Sequence, residues 1–438
     1  GVVSVGGDFV ASALDVSTAS FLSGGDLTFS GPSLASVVNL GKIGALGGDV
    51  ALMAVDVRNG GEIDAANGTA GLIAGRNIIM RDSSVDDGRF LVVTGGSDTA
   101  ATNDGMIAAA AAELRAEGGN VYALAGNTDG VIRATGVADK GGRIWLTAGA
   151  AGSVAVAGSA LTAGDGGGNG GAITVAGGQV AVASDATLDA SATGAAGHGG
   201  AISVIADKAS GDLTFAGTAL AKGGERGGQV ETSGARVDFD GEQVDASAVD
   251  GPSGVWLIDP YDLTIDAAAA STLSGVLDGN TDVTLQTTAS GTSGPGTANA
   301  AGNGDIFVNS DISWSSIATL MLDAYRSVQF NANVTATGAG KAVIKTNDGG
   351  SGGDYYFALG KSLSLTTSGS LSINGAGYTL INSLTGIQNM PSSGNYALIG
   401  NLSGGSYAGN VYSGTFSGVF TGLGHTFDGL TITNNGGD

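Results

Sequence analysis

The chain has 438 residues, 81 of them glycine, five prolines, no cysteine, and 17 basic against 40 acidic residues, so its formal net charge is 17 − 40 = −23. The glycines lack an every-third-residue period, which excludes collagen, and an apolar content of 42% excludes disorder through low hydrophobicity. So acidic a surface repels phosphate backbones and anionic membrane faces, the missing cysteine removes zinc–thiolate, iron–sulfur and thiol chemistry, and no apolar run of about 18 residues or more offers a membrane span.

The apolar residues are mostly Ala, Val, Leu and Ile, and aromatics make up only 5%. Small and β-branched side chains with abundant turn glycine suit many short strands around a narrow core. A secreted fold without disulfides must draw its stability from repetition. The chain opens at Gly1-Val2-Val3 without Met or signal peptide, and the expectation is a processed or trimmed piece of something longer.

Residues 1–100 carry loose copies of a glycine-then-strand pattern. Examples are Gly24-Gly25-Asp26-Leu27-Thr28-Phe29, Gly47-Gly48-Asp49-Val50-Ala51-Leu52 and Gly71-Leu72-Ile73-Ala74-Gly75-Arg76-Asn77-Ile78-Ile79-Met80. Ile107 to Glu117 favours helix by its alanines but strand by its place in the repeat, and the repeat takes precedence. From residue 101 to 259 the pattern is regular. Gly-Gly or Ser-Gly pairs begin at 118, 141, 170, 199, 227 and 253, hence 23, 29, 29, 28 and 26 residues apart by subtraction. Each pair precedes an alternating segment, such as Ala172-Ile173-Thr174-Val175 or Val255-Trp256-Leu257-Ile258.

A period of this size signals a solenoid. Within one repeat, Ile173-Thr174-Val175, Val180-Ala181-Val182 and Thr187-Leu188-Asp189-Ala190 read as three strands separated by turns, with Ile173, Val175, Val180 and Val182 facing inward. The expected fold is all-β, a right-handed parallel β-helix with about three short strands per coil and one or two short surface helices. At about 4.8 Å per coil and a period near 27, roughly 16 coils would make a rod of about 75 Å.

The period breaks over residues 260–304. Asp266 to Leu277 has an N-cap aspartate and helical spacing, and 287–304 reads as an exposed loop. Strands resume over 305–438, at Asp305 to Val308, Thr319 to Leu322, Ser327 to Phe330, Ala342 to Lys345 and Ser362 to Leu365. Asn382 to Met390 reads as a second short helix, and the aromatic, glycine-rich end from Gly414 to Thr433 as a wider or differently shaped coil.

Several segments resemble a known group. Ser4 to Ser17, Phe21-Leu22-Ser23-Gly24 and Ser36 to Ile43 resemble the later part of the haemagglutination-activity domain of filamentous-haemagglutinin-like exoproteins. Gly48 to Leu52, Gly71 to Gly75 and Gly119 to Leu124 look like the coils that follow it, and Trp256 to Ile265 is similar to a segment that recurs in these exoproteins. Phe420 to Ile432 resembles the GLUG repeat of bacterial surface proteins. The resemblance implies two-partner secretion through a dedicated outer-membrane β-barrel transporter, then display on the bacterial surface or release as an adhesin. Its partners would be that transporter and a receptor or glycan on a host or neighbouring cell. The Asn-Pro-Asn-Gly motif that the family uses for transporter recognition is missing, which puts export competence in doubt and not the fold.

Candidate chemical motifs are weaker. Gly166-x-Gly168-x-x-Gly171 matches a dinucleotide fingerprint but precedes a strand where the fingerprint needs a helix. Gly360-Lys361-Ser362 resembles the end of a P-loop whose first glycine falls on Tyr355. Asp165 among glycines and Asp348 to Asp354 resemble calcium loops, but without a tandem array ordinary turns are favoured, and weak surface calcium is the alternative. His425 reads as a hydrogen-bonded structural side chain and His198 as a solvated one, and two histidines leave little for zinc or a Ser-His pair. Trp256 and Tyr261 read as packing at the repeat break in preference to a sugar-stacking platform. Asp238-x-Asp240 and Asp259/Asp262 are the carboxylate pairs that a polysaccharide lyase or hydrolase would need, yet neither recurs beside a base. The expectation is a non-enzymatic adhesin or matrix protein with no catalytic, cofactor or metal residues. A carbohydrate-active enzyme and a self-assembling filament subunit are the alternatives. A groove holding three or more carboxylates and a Lys or Arg would favour the enzyme.

Overall fold

Alternation of apolar with small polar residues lets one side of a short extended segment be buried while the other meets solvent. The computed structural model describes residues 1–85, 88–124, 130–137, 141–239, 241, 243–288, 303–408 and 410–433. It is all-β, with 51% strand and 6% helix, and it divides into two units, Gly1–Ile258 and Asp259–Asp438.

In the first unit the strands fall into three parallel rows. One repeat supplies Ala172–Gly177, Gln179–Val182 and Thr187–Asp189, one strand to each row. Each pairs in register with its counterpart in the next repeat, as in Ile173↔Ile202, Val180↔Leu213 and Leu188↔Ala219. Inward positions therefore stack on like positions. Ile144, Ile173, Ile202 and Val230 form one buried column, and Val121, Val154, Val180 and Leu213 another. Met106–Ala116 is a strand, as its place in the repeat requires, because Ile107 and Leu114 must line up with Ile132 and Leu146. Close to the chain's beginning, Asn39, Asn59 and Asn103 make a buried amide ladder, with Asn39 Nδ2 donating to Asn59 Oδ1 at 2.7 Å and Asn59 Nδ2 to Asn103 Oδ1 at 2.8 Å.

The Gly-Gly corner sets how closely repeats approach. The carbonyl oxygens of Gly142, Gly171, Gly200 and Gly228 accept from the N–H of Ala172, Ala201, Gln229 and Val255 at 2.9, 2.9, 2.9 and 3.1 Å. The amides of Gly171, Gly200, Gly228 and Gly254 donate inward to Ala163, Ala190, Ala221 and Ala246 at 2.8, 2.7, 2.7 and 2.7 Å. A Cβ on Gly171, Gly200, Gly228 or Gly254 would overlap the carbonyl oxygen of the preceding glycine in the stack. No other residue fits there.

Two stretches depart from the expected pattern. Val2 pairs with Lys42, Lys42 with Glu62, and Met106 with Glu62, so the steps are 42 − 2 = 40, 62 − 42 = 20 and 106 − 62 = 44 residues. The surplus of the two long steps builds a separate four-stranded antiparallel sheet from Asp15–Val16, Leu27–Ser30, Asn77–Val85 and Gly88–Thr94. Leu27-Thr28-Phe29 and Asn77 to Met80, expected as parallel strands, belong to this sheet instead. It lies on the outer face of the parallel strands, where Phe29, Ile78, Met80, Phe90 and Val92 pack on Ala51, Met53 and Ile73. Gly71 leaves room for the Phe90 ring.

Three helices are present among the described residues, one more than the upper expectation. The additional one, α1 (Thr18–Ser23), is short and buries no residue, with the Ser17 hydroxyl accepting from Ser20 N at 3.0 Å. In the second unit α2 (Ala267–Asp278) begins at the expected cap, where Asp266 Oδ1 accepts from Ala268 and Ala269 N at 3.0 Å each, and it buries Ala269, Ala270, Leu273, Val276 and Leu277. Helix α3 (Leu384–Gln388) lies inside the segment expected for it.

Parallel rows run through the second unit as well. Asp282–Gln286 leads to Thr319–Asp323, Lys341–Lys345 and Ser370–Ile373, Leu263–Ile265 to Ile306–Val308, Val328–Phe330 and Tyr355–Phe357, and Ile312–Trp314 to Val334–Ala336 and Leu363–Ser364. An antiparallel hairpin between Ser370–Ile373 and Ala376–Ile381, which the pattern did not anticipate, interrupts them. Parallel pairing then resumes with Asn395–Leu398 and Val419–Thr421. Most of the loop expected over 287–304 falls at 289–302, outside the described residues.

Replacing Gly200 by Ala should lower stability by roughly 2–3 kcal/mol, the upper end for a single substitution, because the methyl group forces the two repeats apart. Gly7→Ala, where nothing lies within 4 Å of the new methyl, should leave the urea midpoint unchanged. Equal midpoints for the two variants would refute the glycine constraint.

Candidate functional site

The glycine motifs serve as backbone. Gly166, Gly168 and Gly171 precede the strand Ala172–Gly177, with no helix following. Asp165 turns its oxygens on its own loop: Oδ1 accepts from Gly167 N and Asn169 N at 2.7 and 3.0 Å, and Oδ2 from Asn169 Nδ2 at 2.6 Å. The Asn169 amide foremost, with these N–H groups, holds its carboxyl below the usual range. His425 is half-buried, with Nε2 2.9 Å from Leu363 O and Nδ1 3.3 Å from Asn401 Oδ1, and burial lowers its pKa. His198 is exposed, 4.0 Å from Glu225. Trp256 is fully buried, its Nε1 donating to Thr232 Oγ1 at 3.0 Å and its ring edge-on to Phe239. Asp240 lies outside the described residues.

Among the described residues three groupings hold a buried carboxylate against a basic side chain. In the second unit, buried Asp262 accepts from Gly304 N and Asp305 N at 2.7 and 2.9 Å, while buried Asp305 pairs with Arg326 and accepts from Ser327 N at 3.0 Å. Lys345 lies 3.3 Å from Asp323 and also pairs with Asp348. Burial, then the Asp348 charge, raises the Asp323 carboxyl, and the Lys345 hydrogen bond lowers that of Asp348. The third grouping, in the first unit, is the most enclosed. Arg89 Nε donates to Asp49 Oδ2 at 2.8 Å, and Asp49 Oδ1 accepts from Thr69 N at 2.7 Å. Glu113, 1% exposed, accepts from Arg89 N, from Phe90 N at 3.2 Å and from Arg115 Nε at 2.7 Å. This network fastens the antiparallel sheet to the parallel strands beneath. No alternation or spacing in the sequence pointed to it, since its members come from four separate strands or turns. The first two groupings set two carboxylates near one basic side chain and the third sets two near two arginines, and among the described residues no three His, Cys, Asp or Glu side chains converge on a point that would hold a metal ion.

No family model matches this chain, and no curated protein matches it. The site must therefore be read from its own chemistry. Next to Glu113 in register stands Trp145, on the outer side of Arg143–Thr147. It is partly exposed, whereas Trp256 and Trp314 are buried at 0% and 1%. The guanidinium carbons of Arg115 and Arg143 lie 5.7 and 5.8 Å from its ring centroid, within reach of a cation–π attraction. In the next two repeats the outward positions beside it are Ala172, Thr174 and Ala176, then Ala201, Ser203 and Ile205. A second feature, in the other unit, is an apolar cavity of about 350 Å³ lined by Ile387, Met390, Val411, Phe416, Phe420 and Leu430 among others.

Burial raises the Glu113 carboxyl above the ordinary 4.5, against the opposing pull of Arg115 and the two amides. Between that value and its folded pKa, the folded chain keeps a proton that the unfolded chain has lost, so this residue's contribution to stability falls as pH rises through the window. Glu113→Gln cannot ionise. The stability of the variant relative to the parent should shift in its favour as pH rises through this window and stay flat below about pH 4. Paired urea titrations across pH measure this, and a constant difference would contradict it.

Proposed function

We propose that this chain is an extracellular right-handed parallel β-helix of the filamentous-haemagglutinin-like kind. It acts as a surface adhesin or matrix protein and reaches the cell exterior by two-partner secretion through an outer-membrane β-barrel transporter. The single observation that carries the reading is the in-register stacking of three parallel rows across successive repeats of the first unit. Parallel strands joined by short turns and returning to the same row one repeat later are what coils of a solenoid produce. The right hand follows from the handedness of parallel crossovers.

The functional half rests on chemistry. In these groupings Asp49, Glu113, Asp262 and Asp305 accept from backbone amides, which suits holding a framework together. Repetition multiplies one outward surface many times, which favours weak multivalent attachment over turnover. The family resemblance of Ser4 to Ser17 and of Phe420 to Ile432 agrees with that use. Partners of the attached state would be a receptor or glycan on a host or neighbouring cell.

Beads coated with the purified chain should adhere to cells several-fold more than beads carrying an unrelated protein of equal negative charge. Equal adherence would remove the attachment role. Electron micrographs of the same sample should show slender rods, and compact globules would remove the β-helix reading with it. Rods joined end to end would favour a filament subunit.

A further inference from the structure

We propose that Lys345 Nζ and the Asp323 side chain join in an intramolecular amide (isopeptide) bond, with the Asp348 carboxylate taking up a proton that the amine must lose. The cross-link lies within the second unit and goes beyond the attachment reading, on which it does not depend.

Backbone contacts set the placement. Asp323 ends the strand Thr319–Asp323 and stands in register with Lys345, the last residue of the next strand, Lys341–Lys345. Ala324 N donates to Lys345 O at 2.9 Å, and Asp348 N donates to Ala324 O at 3.1 Å. Between Lys345 and Asp348, Asn347 takes a left-handed φ of 61° and its Oδ1 accepts from Gly353 N at 2.7 Å. This turn brings Asp348 back to the strand end, where Asp323 is only 5% exposed. Asp323 Oδ2 accepts from Lys345 Nζ at 3.3 Å, and among the described residues its buried Oδ1 accepts no hydrogen bond. Asp348 pairs with the same Nζ.

These three side chains hold the parts of a condensation. An ionised carboxylate resists attack by an amine, whereas the protonated acid does not. Burial, then the Asp348 charge, raises the Asp323 carboxyl and favours that acid form. The amine attacks only when neutral. Its hydrogen bond with Asp348 foremost keeps Lys345 protonated and Asp348 ionised, so the reacting form is the one in which a proton has crossed that bond. Ion pair and neutral pair contain the same protons, so the second is always present as a fraction of the first. Nζ then attacks Asp323 Cγ, a C–N bond forms and a C–O bond breaks. Of the three ammonium protons, one stays on Asp348, one remains on the amide nitrogen and one leaves with the Asp323 hydroxyl as water. No oxidant, reductant or co-reactant is required. One event per chain suffices, and groups held in place reach effective molarities of about 10⁵ M or more, which favours a condensation that free acid and amine do not complete in water.

Other lysine pairs lack these parts. Lys42, Lys208 and Lys222 face Glu62, Glu231 and Asp245, whose side chains are 33%, 30% and 39% exposed, against 7% for that of Asp323. The chain has no cysteine. An amide between positions 345 − 323 = 22 residues apart ties adjacent strands of one row, as a disulfide closes a loop elsewhere.

The test is the intact mass of the purified full chain under denaturing conditions, followed by a peptide map. The parent should be lighter than its sequence by one water, and the map should show the peptides of Lys345 and Asp323 joined. Lys345→Arg and Asp323→Ala should each restore the full mass. Asp348→Asn keeps both reacting groups and should also restore it while retaining the parent's circular dichroism. Asp323→Asn keeps an electrophile and should cross-link with loss of ammonia in place of water. A parent chain at its full sequence mass after prolonged incubation at neutral pH would overturn the proposal, whatever the variants do. So would a deficit that persists in Lys345→Arg, because an aspartimide gives the same loss without this lysine. Joined peptides in folded Asp348→Asn would overturn the part assigned to Asp348.

Discussion

Everything in the first unit depends on a backbone contact that admits no side chain. At each corner a glycine carbonyl receives the first amide of the next repeat's strand, as Gly171 O receives Ala201 N and Gly200 O receives Gln229 N. The spacing of parallel strands, close to 4.8 Å, is met here at a bend, where a Cβ would fall on the oxygen below. Once the corner is fixed, the strand that leaves it starts in register. Ile173 then has no place but above Ile144 and below Ile202. The apolar columns follow from the glycine stack.

With the interior settled, variety is confined to the outer face. The two long steps near the chain's beginning spend their surplus on an antiparallel sheet that covers Ala51, Met53 and Ile73. The cover is held by polar as well as apolar contact, through Arg89, whose guanidinium donates to Asp49 and whose backbone amide donates to Glu113. Such a buried network holds position more than it adds stability. Where the cover ends, Glu113 gives way in register to Trp145 and then to Thr174, so the outer face passes from enclosed to open within the span of three strands.

The parts legible in the sequence were those whose cause is local. The Gly-Gly corners, the three strands within 172–190 and the Asp266 cap of α2 all declare themselves within a few residues. The antiparallel sheet did not. Leu27-Thr28-Phe29 alternates as a parallel strand would, and its partner Asn77 to Met80 is about 50 residues on, so alternation alone cannot tell the two pairings apart. The Ser370–Ile373 hairpin, by contrast, carries a local signal that was passed over, the Asn374-Gly375 turn with both φ values positive. The charge network was invisible because Asp49, Arg89, Glu113 and Arg115 meet only after folding. Trp256, weighed as a sugar platform, proved to be core, while Trp145 drew no notice because its strand looks like its neighbours until the arginines of two repeats are seen on one ring.

The amide ladder of Asn39, Asn59 and Asn103 stops where Asn103 meets Ala123. A slip of one residue anywhere along it would set a buried amide against Val38, Arg58 or Thr102 and strand its hydrogen bonds. Among the described residues from Gly119 to Gly254 no such ladder runs, and each junction offers the next nearly the same glycine corner and the same apolar column. Gene-level duplication or loss of a whole repeat there would re-form equivalent contacts on both sides of the join. The ladder region would reject it. Length in this protein is therefore open to change in one stretch of the chain and constrained in another.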